Sequence, residues 1–99
     1  MKIWLDDIRP MPDGFDVHVR TADEAIELLG GINVSFISLD HDLGDETAGT
    51  GYDVAQFIEK GAYLGIVPPM GWQVHSANPV GRNNIISAMR NAEKYWGVT

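Results

Sequence analysis

The sequence predicts a small α/β domain built on a parallel sheet, and three observations predict it. Short apolar runs, Ile3-Trp4-Leu5, Phe36-Ile37-Ser38-Leu39 and Trp72-Gln73-Val74, alternate with stretches of helical periodicity. Two of these runs end in acidic residues, Asp6-Asp7 and Asp40-His41-Asp42. In an open parallel sheet such strand ends lie side by side, at the edge where these folds place their sites. Four converging carboxylates repel one another, and a hard divalent cation makes the arrangement tolerable.

The elements follow in order. The first strand runs from Lys2 to Asp6. Ile8 to Gly14 is a loop, because Pro10, Pro12 and Asp13-Gly14 oppose a helix. Val17 to Arg20 alternates and predicts a short strand. Thr21 and Glu24 have capping-box spacing, Ala22, Ala25, Ile26 and Leu29 follow helical periodicity, and Gly30-Gly31 ends the helix. Asn33 to Leu39 is a buried strand. A polar loop from Gly44 to Gly51 leads to a helix capped by Thr50, with Val54, Phe57 and Ile58 inward and Gly61 near its end. Pro68-Pro69 breaks the chain before a fourth strand, Trp72 to Ser76. Asn78-Pro79 opens the last helix as cap and first-turn proline, with Ile85, Ile86, Met89, Ala92 and Trp96 on its apolar face. The first connection has no room for a crossover helix.

Composition narrows the function. The 99 residues suit one domain, spanning 1–99, and a hydrophobic share of 44% excludes general disorder. No apolar run approaches the ~20 residues of a membrane span. The start turns acidic too early for a signal peptide, so a cytoplasmic location is expected. Without cysteine there is no thiolate site. A net charge of −7 argues against coating duplex DNA. A bound cation would invert the local sign and admit a small phosphorylated ligand.

The motifs carry the chemistry unevenly. Asp6-Asp7 alone reads equally as a solvated turn. Alternation puts Asp40 and Asp42 on one side of an extended chain and His41 opposite, so a carboxylate reaches a cation while His41 serves as acid, base or ligand. The Ser76 hydroxyl and Asn78 amide can donate to a phosphoryl oxygen, helped by the N–H groups of the helix that starts there. Arg82, in its first turn, is a candidate phosphate clamp. Asn78 also reads as a plain cap and His75 as a core histidine. His18 has no local partner and reads as structural, and Trp4, Trp72 and Trp96 read as core. There is no Walker A or GxGxxG motif.

Three segments together resemble a known family. They are Leu5-Asp6-Asp7-Ile8-Arg9-Pro10, then Leu39-Asp40-His41-Asp42-Leu43-Gly44 with Thr50-Gly51-Tyr52-Asp53, and Val74-His75-Ser76-Ala77-Asn78-Pro79. The combination resembles the cyclic-phosphate processing receiver domains of bacteria and phages, and more widely the response-regulator receivers. The resemblance implies a minimal receiver-like (flavodoxin-like) three-layer sandwich, with four parallel strands in order 2-1-3-4 and about three helices. It implies Mg²⁺ held by positions matching Asp6, Asp7 and Asp40, and a phosphoryl contact at Ser76. The chain departs from signalling receivers in lacking the fifth strand and its lysine, since Lys94 lies too far along. His41, Asp42, His75 and Asn78 are additional.

The leading expectation is a metal-dependent phosphoesterase acting on a cyclic or terminal phosphate of a nucleotide or RNA end. Its ligand would be a cyclic nucleotide or an RNA 2′,3′-cyclic phosphate end. Asp6, Asp7, Asp40 and Asp42 would hold Mg²⁺ or Mn²⁺. Asp40, His41 and His75 would be catalytic, and Ser76, Asn78 and Arg82 would bind phosphate. The alternatives are a module that sequesters a cyclic nucleotide without turnover, as a phage protein acting against host defence would, and a phosphoacceptor receiver using Asp40.

Overall fold

The computed structural model describes residues 1–31 and 33–98. The elements are β1 (Lys2–Leu5), β2 (Val17–Val19), α1 (Ala22–Gly31), β3 (Phe36–Leu39), α2 (Gly51–Leu64), β4 (Gly71–Val74) and α3 (Pro79–Trp96). All four strands are parallel, in order β2-β1-β3-β4. This is the receiver-like α/β architecture, with three α-helices and a 3₁₀ turn, Glu46–Ala48, among the described residues.

Chain direction decides which face the helices occupy. The crossovers β2-α1-β3 and β3-α2-β4 both run toward the β4 edge, and right-handed connections then put their helices on one side of the sheet. Ile3, Leu5, Val19, Ile37 and Leu39 point to that side and form one core with α1, α2 and α3. The connection β1-β2 runs the opposite way and falls on the other face. The third layer is therefore the loop over residues 6–16 rather than helices. Its Phe15 packs edge-on against Trp4 at 5.3 Å and near Phe36 at 6.1 Å.

Strands end earlier than the apolar runs suggest, because side chains capture the backbone at their ends. β1 stops at Leu5, where the Asp6 carboxylate accepts from the N–H groups of Ile8 and Arg9 at 2.8 and 2.9 Å. β4 starts at Gly71 and stops at Val74. The His75 N–H still donates to Leu39, but Ser76 Oγ then accepts from the Asn78 N–H and turns the chain into α3. β3 begins at Phe36, later than the expected Asn33. The helix starts are as expected: Thr21 bonds Glu24, Thr50 and Asp53 form a reciprocal capping box, and Asn78 caps α3 with Pro79 at its first turn.

Two glycines let helices press on the acidic loop after β3. A Cβ on Gly51 would collide with the Asp40 carbonyl, and one on Gly81 with the His41 ring. The Gly51 N–H also donates to the His41 carbonyl at 2.9 Å, and Thr50 bridges Asp42. The starts of α2 and α3 thus fix residues 40–42. Unfolding curves test this. Gly51→Ala should lose about 1–3 kcal/mol through overpacking. Gly30→Ala, where nothing lies within 4 Å of the added methyl, should gain about 0.5–1 kcal/mol. A neutral Gly51→Ala would mean the helix start can move freely from the loop.

Candidate functional site

Asp6 is the centre of the site. It follows the central strand β1 and is only 1% exposed. An ionised carboxylate at that depth needs donors, and it has four: the two N–H groups of its turn on Oδ1, and Arg9 Nη1 at 3.1 Å and His75 Nε2 at 3.0 Å on Oδ2. Burial pushes the carboxyl upward, but these bonds outweigh it and hold Asp6 below the ordinary carboxylate value. Its main-chain carbonyl accepts from His18 Nε2 at 2.8 Å, so His18 has a structural partner.

His75 arrives from the end of β4 and is gripped on both nitrogens. Nδ1 lies 2.7 Å from Ser38 Oγ, and Ser38 in turn accepts from Gln73 Nε2 at 2.9 Å. The consistent assignment runs Gln73 to Ser38 to His75 Nδ1, with the His75 Nε2–H donating to Asp6. Trp4 stacks flat on the imidazole, 3.9 Å between centroids and 6° between planes. Burial lowers the His75 pKa, and the pull of Asp6 and Asp40 does not restore it. His75 is thus both a core histidine and a partner of the carboxylates.

Asp40, buried beyond β3, has the opposite balance. Burial and the charge of Asp6 raise its pKa above the ordinary value, against weaker help from His75 and Arg9. Arg9 Nη1 is 3.7 Å from Asp40 and also donates to the His75 carbonyl at 3.2 Å, so one guanidinium serves three strand ends. Asp6, Asp40 and His75 each offer a ligand atom within 4.8 Å of the others. Asp7 and Asp42 share a pocket of about 410 Å³ with Asp6, Asp40 and Arg9, but stand outside that tight set.

The other expected residues are divided. His41 is not opposed to Asp42: its Nδ1 turns onto Asp42 Oδ1 at 2.9 Å, beneath α3 at Gly81. The bond from His41, with help from Asn78, holds the Asp42 carboxyl low against the opposing effect of burial. Asn78 caps α3 through the Gly81 N–H and reaches Asp42 at 3.4 and 3.5 Å. Ser76 is engaged in the turn before α3 and does not line the pocket. Arg82 lies elsewhere: it donates to the Val74 carbonyl at 2.8 Å and lines a groove beside β4. The guanidinium beside Asp6 and Asp40 is that of Arg9. Arg9, Ser38 and Gln73 were not singled out from sequence. A lone hydroxyl within the buried run Phe36-Ile37-Ser38-Leu39 was the available signal for Ser38. For Arg9 it was a cation three residues after Asp6 in a proline-bearing turn.

A family model described as the cyclic-phosphate processing receiver domain matches residues 1–91. No curated protein and no solved structure matches the chain.

The two buried aspartates should respond oppositely to substitution and pH. Asp6→Asn should lose about 2–3 kcal/mol at neutral pH, since charge-assisted bonds go with it. The contribution of Asp6 is fully present above the unfolded value of ~3.9 and fades as pH falls through its lowered folded value. Asp40 is raised, so ionising it costs stability as pH rises from ~3.9 through the folded value. Asp40→Asn should melt with wild type in acid and above it at neutral pH. Parallel melting-temperature curves for wild type and Asp40→Asn across that range would contradict this.

Proposed function

Because the chain belongs to the cyclic-phosphate processing receiver family, we propose that its pocket opens the cyclic phosphate of a nucleotide or RNA end by metal-assisted hydrolysis. The observation that carries this is the meeting of Asp6, Asp40 and His75, with ligand atoms within 4.8 Å of one another at the carboxyl edge of the sheet. Carboxylates are the hard donors that Mg²⁺ and Mn²⁺ take. Burial, and then the charge of Asp6, raise the Asp40 pKa, and a bound cation would offset both. Asp7 and Asp42 add oxygens on the same wall. A divalent cation held there supplies polarisation of the phosphoryl group and activation of water.

The protein's own groups divide the remaining work. Arg9 is anchored by Asp6 yet 47% exposed, leaving N–H groups for non-bridging phosphoryl oxygens. The two histidines are not equivalent. His75 has both ring nitrogens engaged, by Ser38 and Asp6, and so positions the carboxylate. His41 has its Nδ1 on Asp42, and among the described residues nothing bonds its Nε2. Asp42 orients that imidazole as a carboxylate does in a nucleophile–base–acid set. His41 then transfers the proton: water adds hydroxide to phosphorus, the ring P–O bond breaks, and the departing oxygen is protonated.

A panel of 2′,3′- and 3′,5′-cyclic nucleotides with Mg²⁺ and Mn²⁺ tests this. His41→Ala should lower kcat by about 10²–10⁴-fold with little change in KM. Arg9→Ala should raise KM as well, because it touches ground and transition states alike. Asp40→Asn should remove the metal-induced rise in melting temperature. A cyclic nucleotide that binds but is recovered intact after long incubation with either metal would replace hydrolysis by sequestration.

A further inference from the structure

The acidic pocket is not the largest depression on the described surface. A groove of about 520 Å³ runs along the free side of β4, between that strand and α3. β4 is an edge of the sheet, with β3 on its other side. The parallel ladder fixes which backbone groups are free. The N–H groups of Gly71 and His75 point to β3, donating to Ser35 and Leu39. Residues 72 and 74, alternating with them, turn their N–H and C=O groups outward. The Val74 carbonyl is met by Arg82, which among the described residues leaves both Trp72 groups and the Val74 N–H as an open ladder. Such an edge is a template for another strand unless charge, proline or a bulge blocks it. Pro68 and Pro69 precede β4 and do not interrupt it.

The side chains around this ladder select the partner. Arg82 and Arg90 both line the groove, two of only seven lysines and arginines in a chain of net charge −7. Arg82 is exposed, and Arg90 is 63% exposed, lying over the Trp72 ring at 5.3 Å. The one carboxylate in the groove, Glu93, is already committed to Trp72 Nε1 at 3.2 Å and to Arg90 at 3.1 Å. We propose that the β4 edge, with Arg82 and Arg90 beside it, docks an extended acidic segment of a partner protein as a fifth strand. Main-chain bonds to residues 72 and 74 give the register, and alternate acidic side chains meet the arginines. A nucleic acid strand would satisfy the arginines but not the alternating N–H and C=O groups. A second copy of this chain would bring Arg82 and Arg90 against their own kind.

This inference is independent of the hydrolytic function. The test is a titration followed by amide ¹H–¹⁵N spectra of the whole chain. The probe is a synthetic peptide alternating valine and glutamate, about as long as an ordinary strand of 5–6 residues plus flanks. Saturable shifts should be largest at the outward amides of Trp72 and Val74, smaller at Gly71 and Gln73, and small at Asp6 and Asp40. Replacing the glutamates by lysine should weaken binding at least about tenfold, and N-methylating alternate peptide bonds should abolish it. Arg90→Gln, which removes the charge over Trp72 while keeping a polar partner for Glu93, should also weaken it. Several results would overturn the inference. They are no shifts at millimolar peptide, equal binding of the lysine or N-methylated peptide, or stronger shifts of the same amides with oligouridylate. Shifts driven by protein concentration alone, meaning a second copy on the edge, would overturn it too.

Discussion

A carboxylate buried to 1% exposure beyond the central strand stays ionised only if the surrounding chain supplies donors. Asp6 draws them from several directions. The turn after β1 gives two backbone N–H groups, the loop gives Arg9, and the far end of β4 gives His75. Each donor fixes a piece of structure. The turn ends β1, Arg9 ties the loop to the His75 carbonyl, and His75 is held upright by Trp4 on one side and Ser38 on an edge. The loop that replaces a helical layer is therefore ordered from the same charge that defines the pocket. Phe15 and Trp4 seal its apolar side.

The second buried aspartate is treated differently, and the asymmetry is chemically useful. Asp6 takes the donors, so at Asp40 burial, and then the charge of Asp6, prevail. One residue becomes a fixed anion that organises its neighbours, and the other a carboxyl ready for a proton, a cation or a phosphoryl group. Neighbouring carboxyls pushed in opposite directions mark distinct roles. Arg9 partly offsets the charge of both, at 3.1 Å from Asp6 and 3.7 Å from Asp40. Gly51 and Gly81 tie this electrostatic arrangement to the fold, because only a missing Cβ lets α2 and α3 approach residues 40 and 41 so closely.

Much of this was legible from sequence. Period-two and helical patterns, capping residues and prolines are local signals, and they located every helix start. They also put the acidic clusters at strand ends. The clustering of Asp6, Asp7, Asp40 and Asp42 followed from topology, since parallel strands bring their carboxyl ends to one edge. What local signals could not settle was the partner of each polar group. Asn78 had two candidate uses and caps α3, while Ser76, read only as a phosphoryl contact, accepts from the Asn78 N–H in the turn before it. Arg82 was near the right motif in sequence, but the helix rise carries it to the β4 groove.

The sequence by itself determined the class of architecture, because hydrophobic period and caps mark parallel strands alternating with helices, and the family resemblance added the order of the strands. It also determined that the site would be acidic, since residue types at strand ends are read directly. Only the tertiary structure decided how that acidity is organised. It set Arg9 beside Asp6 and Asp40, engaged both nitrogens of His75, and paired His41 with Asp42. Those outcomes depend on contacts such as Asp6 with His75, 69 residues apart, whose geometry is set by packing to a fraction of an ångström.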